Sequence, residues 1–418
     1  MSSSDVFEEW NAYAKKKELL PREVDFDSVL SNAEFKLVAV TGIRRCGKSS
    51  LLMLLAQKIE KEGGKVGYIN IEDSRLKGDK NLLDNVLKWF GDGGFLLLDE
   101  ITNASDWQGW LARTHELLKG KIRLIVSSSR KSLVLPNRPL RGRILAFELY
   151  PLSFKEFLKF KGIVIEKTTV GRGRVEKAFL EYLKYGGFPE VALVKEEIDK
   201  VRILGAYFKD IVGLDVAEIS GQDINVVETF GKYVIQSPYF SASKCLNFFK
   251  TLGYKIGKEK ILQLEKYSQA CYLFFFVPIF SYGIKDKSQY PRKTYCGDNG
   301  FSYGVTGKMD FGRLFENVTF LELKRRTQGQ EEICYWKNKQ GLEVDFVIKR
   351  GNDVSEIMQV VYEFNDEKTR KREINAIVEC ARELNPAKVT ILTRDTAETK
   401  TFDGVEIRFV PLMDWLLE

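Results

Sequence analysis

Eight consecutive residues, Gly42-Ile43-Arg44-Arg45-Cys46-Gly47-Lys48-Ser49, follow the pattern Gly-x-x-x-x-Gly-Lys-Ser without exception. Glycines at both ends let the backbone turn tightly and aim its N–H groups at an anion. A helix beginning after the loop adds its positive dipole end. In that setting Lys48 reaches the β- and γ-phosphates of a nucleotide and the Ser49 hydroxyl ligates Mg2+. Ser50 follows as a further phosphate-binding candidate. With Gly and Lys each near ~7% of residues, a chance match in a chain this long is on the order of 1 in 100. A second constellation, Asp99-Glu100, closes the apolar run Phe95-Leu96-Leu97-Leu98. Asp99 is placed to hold the metal's water shell and Glu100 to polarise an attacking water. The plain alternative, a buried strand ending in ordinary surface acids, leaves the complete phosphate loop upstream unexplained. A water-activating carboxylate favours hydrolysis of ATP over binding alone.

These residues need elements to hold them. Residues 36–41 form a short apolar run entering the loop, and 49–60 repeat Leu51, Leu52, Leu55 and Ile59 at helical spacing before Gly63-Gly64. Residues 66–71, 95–98, 123–127 and 144–149 read as further strands, with helical segments between most of them. Short apolar strands separated by helices predict an α/β domain with a parallel sheet covered on both faces. After Pro151 the pattern turns helical, over 152–160 and 175–185, until Gly186-Gly187-Phe188-Pro189 breaks it. More helices run to about 220, and 221–290 read as a small helical domain closing on a strand at 272–277. The last stretch is a second α/β unit. It has a helix at 312–324, strands at 332–337, 342–349 and 355–362, a helix at 369–384, and strands at 388–392 and 405–410.

Composition removes other chemistries. The 418 residues carry 65 Lys plus Arg against 58 Asp plus Glu, a net charge of +7. His115 is the single histidine, so multi-histidine metal sites are excluded, and its helical setting reads as a packed or solvated residue. Six scattered cysteines form no Cys-x-x-Cys pair, which leaves no zinc ligand pairs and fits a reducing cytosol. The opening residues lack an apolar h-region, so no secretory signal is expected. The longest apolar run, 271–280, is half a membrane span and contains Pro278, so the protein is expected to be cytoplasmic with no membrane partner.

The chain resembles the archaeal-type AAA+ ATPases that carry a winged-helix module and a C-terminal PD-(D/E)XK nuclease-like domain. The resemblance runs from Leu20-Pro21-Arg22-Glu23-Val24-Asp25 through the phosphate loop, Tyr68-Ile69-Asn70-Ile71-Glu72-Asp73 and the Asp99-Glu100 strand. It continues through Leu140-Arg141-Gly142-Arg143, Pro151-Leu152-Ser153-Phe154 and Tyr185-Gly186-Gly187-Phe188-Pro189-Glu190. It implies a P-loop ATPase domain with a helical lid over 1–220, a winged helix-turn-helix over 221–290 and a restriction-endonuclease-like α/β domain over 291–418. It also implies ATP and Mg2+ as ligands. It suggests Ser128 as a sensor at the end of the strand after Asp99-Glu100. Arg143 becomes an arginine that touches the γ-phosphate in cis or from a neighbour. Their plain alternatives are a helix cap and a solvated arginine. Where the family usually has Arg-Asp before the winged helix, this chain reads Leu214-Asp215, which puts coupling between neighbouring nucleotide sites in doubt.

In the middle segment Ser243 is a cap candidate for a helix to Leu252, Gly253 ends it, and 258–268 form a second helix. Ile261, Leu262 and Leu264 are read as core, and Lys258, Lys260, Gln263 and Lys266 as a polar face. The resemblance makes this second helix the one that enters the major groove of double-stranded DNA. Residues 241–295 hold 10 Lys plus Arg and 3 Asp plus Glu, leaving 55 of each sign elsewhere. All the net charge therefore sits on this segment, which suits duplex DNA; solvated lysines on a packing module are the alternative. In the C-terminal unit Glu316 and Asp345 fit the first two nuclease acids. The third motif, Glu-x-Lys, is replaced by Gln359-Val360-Val361. A neutral amide and a valine cannot fix a metal and move a proton, so the domain is expected to dock or bind without cleaving. Lys349 is the only nearby stand-in for the lysine. The alternatives are a signalling or scaffolding ATPase that engages a protein partner or a second copy, and an ATP-dependent nuclease that needs Lys349.

Overall fold

In the computed structural model, residues 2–133, 140–281, 290–327, 329–351, 353–364 and 366–418 are described. Lys285, Asp286 and Lys287, counted in the basic segment, lie outside them. Five strands, β1 (Leu37–Thr41), β2 (Val66–Asn70), β3 (Gly94–Asp99), β4 (Ile122–Ser128) and β5 (Ile144–Glu148), form one parallel sheet in the order β2-β3-β4-β1-β5. β1 sits between β4 and β5. Every residue of β1 is buried, as a central parallel strand requires. The helices Lys48–Lys61, Leu82–Phe90 and Trp107–Leu118 lie between the strands in the chain, as their apolar spacing predicts. An N-terminal helix, Ser3–Lys16, was not predicted. Its Ser2/Asp5 capping box starts it, and Val6 and Phe7 enter the sheet's core.

The chain divides into two compact units, residues 1–150 with 270–272, and residues 151–269 with 273–418. The expected boundary at 220 does not coincide with this division. The helices after Pro151 spend their aromatic faces on partners further along the chain: Phe179 meets Phe315 and Phe188 meets Phe301, at 5.8 and 5.3 Å between ring centres. Nor does the division fall at 290. A short strand β6 (Tyr239–Phe240), the helices Ala242–Thr251 and Lys258–Ala270, and strands β7 (Phe274–Val277) and β8 (Arg292–Cys296) belong together, since β8 pairs antiparallel with both β6 and β7. The first of these helices starts at Ala242 after Ser241, so Ser243 lies inside it. Leu262 is 43% exposed instead of core. Upstream, residues Ile211–Ala217 form a π-helical stretch with Leu214 exposed and Asp215 buried.

The strand expected at 272–277 begins only at Phe274, because Tyr272 is diverted. It adopts a left-handed φ of 59°, and its buried hydroxyl bonds to Thr41 at 2.7 Å and Glu148 at 3.0 Å in the first unit.

The remaining strands, β9 (Glu332–Lys337), β10 (Glu343–Arg350), β11 (Asp353–Val360), β12 (Lys388–Thr393), β13 (Glu398–Phe402) and β14 (Val405–Pro411), form a six-stranded mixed sheet in the order β13-β14-β12-β11-β10-β9. β13, all polar but for Phe402, carried no strand signal. The helix Glu367–Leu384 covers one face through Ile374, Ile377, Val378, Ala381 and Leu384.

The Gly186-Gly187 break has a tertiary cause. The buried Asp298 carboxylate accepts the Gly187 and Gly300 N–H groups, both at 2.8 Å. Gly186 has φ 76°, and a Cβ there would stand 1.7 Å from Asp298 Oδ1. Gly186→Ala adds left-handed strain to that clash. It should lower the stability of the second unit by more than about 2 kcal/mol, read as an earlier urea midpoint. A midpoint equal to wild type would show that Asp298 moves aside freely.

Candidate nucleotide site

All five strands of the first unit run the same way, so their C-terminal ends share one edge, where open α/β sheets bind ligands. β1 delivers the Gly-rich loop to that edge. Arg45 and Gly47 have φ of 70° and 102°, the left-handed turns that wrap the loop. Gly42 cannot carry a side chain, since a Cβ would lie 2.0 Å from the Leu149 carbonyl oxygen. Gly47 caps the helix Lys48–Lys61 without any side-chain acceptor, which leaves the first N–H groups for an anion.

The loop is fastened from behind. Arg22, buried, donates to the carbonyls of Cys46 at 2.7 Å and Tyr150 at 2.9 Å. The Cys46 thiol, buried and pushed up in pKa by that burial, donates to the Leu149 carbonyl at 3.3 Å. Arg22 was legible only as part of a family motif, with no role attached. Arg44 pairs with Glu72 at 3.3 Å, Arg45 is exposed, Ile43 is buried and Ser50 half-buried.

Lys48, Ser49, Asp99 and Glu100 come together as their spacing predicts. The Lys48 ammonium, 4% exposed, lies 3.1 Å from the Gly42 carbonyl, 3.3 Å from that of Ile43 and 3.4 Å from the Glu100 carboxylate. Asp99 accepts hydrogen bonds from Tyr68 at 2.9 Å and from the hydroxyls of Ser127 and Ser49. Burial, aided by the adjacent Glu100 charge, still pushes its carboxyl above the usual range. Glu100 turns through φ 52°; its N–H donates to Ser127 Oγ at 2.9 Å and its carboxylate accepts the Ser129 N–H at 3.1 Å. Tyr68 is legible in the sequence only as part of a family motif with no role attached, and Ser127 only as a neighbour of Ser128 in the triplet Ser127-Ser128-Ser129.

Two expectations meet a different geometry. Ser128 bonds to Thr102 at 3.1 Å and accepts the Arg130 N–H at 3.1 Å, whereas its neighbour Ser127 reaches the acids. Side chains alternate along β4, so one residue decides which serine faces β3. Arg143 precedes β5, and its carbonyl accepts the Leu37 N–H where β1 begins. Roughly 13 Å of extended strand separates that end from the loop, and the guanidinium pairs with Glu116 at 3.1 Å. It therefore cannot touch a γ-phosphate in cis. His115 is buried in the helix Trp107–Leu118, and burial holds its imidazole below the usual pKa.

In the second unit, Glu316 and Asp345 do converge, with Gln359 beside them. The lysine among them is Lys293 of β8, not Lys349. Where it pairs with β9, β10 carries an extra residue between Val344 and Val347, which upsets the two-residue period on which Lys349 depended, and the Lys349 ammonium pairs with Glu332 at 3.0 Å. Lys258, Lys260 and Lys266 are exposed on the helix Lys258–Ala270, and Gln263 is half-buried.

Residues 34–158 match an AAA domain (AAA_14), and residues 311–415 match a domain of unknown function (DUF4143). The chain is 31% identical over 420 residues to the uncharacterized protein MJ1544 of Methanocaldococcus jannaschii, spanning 97% of this chain and 92% of that one. It is 25% identical over 395 residues to an uncharacterized protein of Haemophilus influenzae, spanning 91% and 94%. AMPPCP-bound DnaA from Aquifex aeolicus aligns with 16% identity over 62% of this chain and 98% of that chain, at a TM-score of 0.29. Residues 34–158, with the phosphate loop at the edge of a parallel sheet, thus form an AAA domain. The chain as a whole belongs to the family that includes MJ1544. No helix among the described residues is long and apolar enough to cross a membrane.

The Arg22 fork supplies a test of how the loop is held. Arg22→Ala leaves two buried carbonyls short of a charged donor and should destabilise the first unit by about 2–4 kcal/mol. Arg22→Lys cannot span both carbonyls with one ammonium, so its thermal midpoint should fall closer to the alanine variant than to wild type.

Proposed function

We propose that this chain is a Mg2+-dependent ATPase whose nucleotide cycle operates a DNA-associated second unit. The meeting of Lys48, Ser49, Asp99 and Glu100 at one sheet edge carries this reading. The site fits the expected ligands: the helix Lys48–Lys61 starts without a side-chain cap on its first N–H groups, and Ser49 and Asp99, hydrogen-bonded to each other, would hold the metal. Two protein ligands suit Mg2+, which keeps waters and substrate phosphates as the rest of its shell. When bound, Mg2+ would offset the negative charge of the phosphates held by the loop.

The chain's own residues set the order of events. Lys48 rests on two carbonyls and Glu100, weak partners for an ammonium beside an incoming polyphosphate. Phosphate draws Lys48 away and releases Glu100, which then serves as the acceptor for a proton of the attacking water. The Ser127 hydroxyl, tied to the Glu100 N–H and to Asp99, keeps the two acids in register.

The DNA reading rests on charge. Lys244, Lys250, Lys255, Lys258, Lys260 and Lys266 are exposed, whereas of the two carboxylates between 242 and 270 only Glu259 is exposed. Glu265 is buried against Arg292 at 2.7 Å. The order of helix Ile224–Gln236, β6, two helices, β7 and β8 supports a winged helix-turn-helix. The C-terminal domain is read as nuclease-like in shape and inert toward DNA strands. A second reading, docking of a protein partner, draws on the exposed Val164, Ile165 and Val170, at 70, 57 and 66%.

Glu100→Gln keeps the shape of the site but polarises water poorly. ATP affinity by calorimetry should stay within several-fold of wild type, while phosphate release falls by on the order of 10² or more. Unchanged turnover would assign the water to another residue, and Lys48→Ala with full ATP affinity would end the nucleotide assignment itself.

For DNA, replacing Lys258, Lys260 and Lys266 together by Ala should flatten the plot of log affinity against log salt. For each phosphate no longer neutralised, the slope should shrink by about 0.9. Wild-type slope in the triple variant would move the DNA surface off this helix.

A further inference from the structure

Lys293 has no place in any motif, yet it stands at the centre of a cluster of three carboxylates in the second unit. It lies on β8, 4% exposed. Its ammonium meets Asp345 at 2.6 Å, Glu316 at 2.9 Å and Glu343 at 3.0 Å. A lysine has three N–H donors, and three carboxylates receive them. The acids are held by other groups too. Tyr295 donates to Glu316 at 2.6 Å, the Val360 N–H to Asp345 at 2.9 Å, and Tyr239 and Lys337 to Glu343. Burial alone would lower the Lys293 pKa, but Asp345 and Glu316 outweigh it and keep the ammonium charged, so it carries no lone pair for a proton. Gln359 is turned from the cluster: its oxygen accepts the Asp345 N–H at 3.0 Å and its amide donates to Glu373 at 2.7 Å. Among the described residues no set of three metal-ligating side chains is placed to hold an ion.

We propose that Lys293 is the built-in cation of this centre. Its ammonium fills the place that a divalent metal would take between Glu316, Glu343 and Asp345, excludes such a metal, and ties β8 to β10. Removing the ammonium turns the cluster into a divalent-cation site. Without it, buried Asp345 and half-buried Glu316 and Glu343 face one another with only Lys337 left beside Glu343, so their charges repel, and hard divalent ions favour such all-oxygen sets. The adjoining cavity of about 230 Å³, lined by these acids, Tyr239 and Arg313, leaves room for the ion's waters. Nothing in this cluster depends on the nucleotide site.

The test titrates Mn2+ into nucleotide-free, full-length protein, followed by calorimetry and by the loss of free-Mn2+ paramagnetic resonance signal. Wild type and Asp345→Asn should give the same titration, with no Mn2+ bound in an Asp345-dependent way. Lys293→Ala should gain one Mn2+ bound at least about 10-fold more tightly than anything in wild type, and Lys293→Ala/Asp345→Asn should lose it. In EDTA the urea midpoint of Lys293→Ala should fall, and Mn2+ should restore it. Folded Lys293→Ala that binds no more Mn2+ than wild type overturns the proposal. So does wild type that binds Mn2+ through Asp345, since lysine and metal would then coexist. Should Lys293→Ala fail to fold even with Mn2+, the comparison of wild type with Asp345→Asn decides alone. ATP turnover, measured on the same wild-type preparation, reports separately on the nucleotide site.

Discussion

Parallel pairing of β1 with β4, and of β4 with β3, is the constraint on which the nucleotide site depends. Lys48 and Asp99 are far apart in the chain and share no local element. They meet because parallel strands bring all their C-terminal ends to one edge, and because β4 lies between the two strands that carry them. β4 is more than a spacer. Ser127 bonds to Asp99 and to the Glu100 N–H, and Ser129 to the Glu100 carboxylate. The acids are thus aimed by a strand that carries no catalytic motif of its own. A one-residue slip of β4 would turn Ser128 inward instead and leave Asp99 with less support.

The two buried lysines show how partner number sets what a charge can do. Lys48 has one carboxylate at 3.4 Å and two carbonyls. An anion that offers more charge can compete with the Glu100 carboxylate for this ammonium. Lys293 has three carboxylates within 3.0 Å. Breaking one partner from such a cluster strands buried charge, which is costly. The first lysine is built to exchange partners and the second to keep them, although both are about 4% exposed.

The division of the chain follows the aromatic faces of its helices. Beyond Pro151, Phe179 and Phe188 find Phe315 and Phe301, so the helical segment and the C-terminal residues share one core. β8 then belongs to two structures at once. Its backbone completes the small sheet with β6 and β7, and its Lys293 side chain enters the acid cluster of the larger one. The middle helices and the C-terminal domain therefore form one unit and not two linked modules. Tyr272 runs the other way: its left-handed turn seats the hydroxyl on Thr41, the residue before the phosphate loop.

The sequence by itself determined the loop, the two acids after it, the five strands and most helices. Those signals are local: glycine at fixed offsets, a lysine next to a helix start, apolar runs of strand length. The resemblance to nuclease-like domains added the expectation that Glu316 and Asp345 belong together. What it could not determine depends on which side chain faces which neighbour. Ser127 in place of Ser128 follows from the alternation along one strand, and the loss of Lys349 from a single bulge that no residue type announces. Arg143 was placed by family pattern, and only the strand direction put it at the far end of the sheet. Lys293 was invisible because its three partners lie on a distant helix and strand. An ammonium surrounded by carboxylates is a property of the assembled sheets, and the residues next to it in the chain say nothing of it.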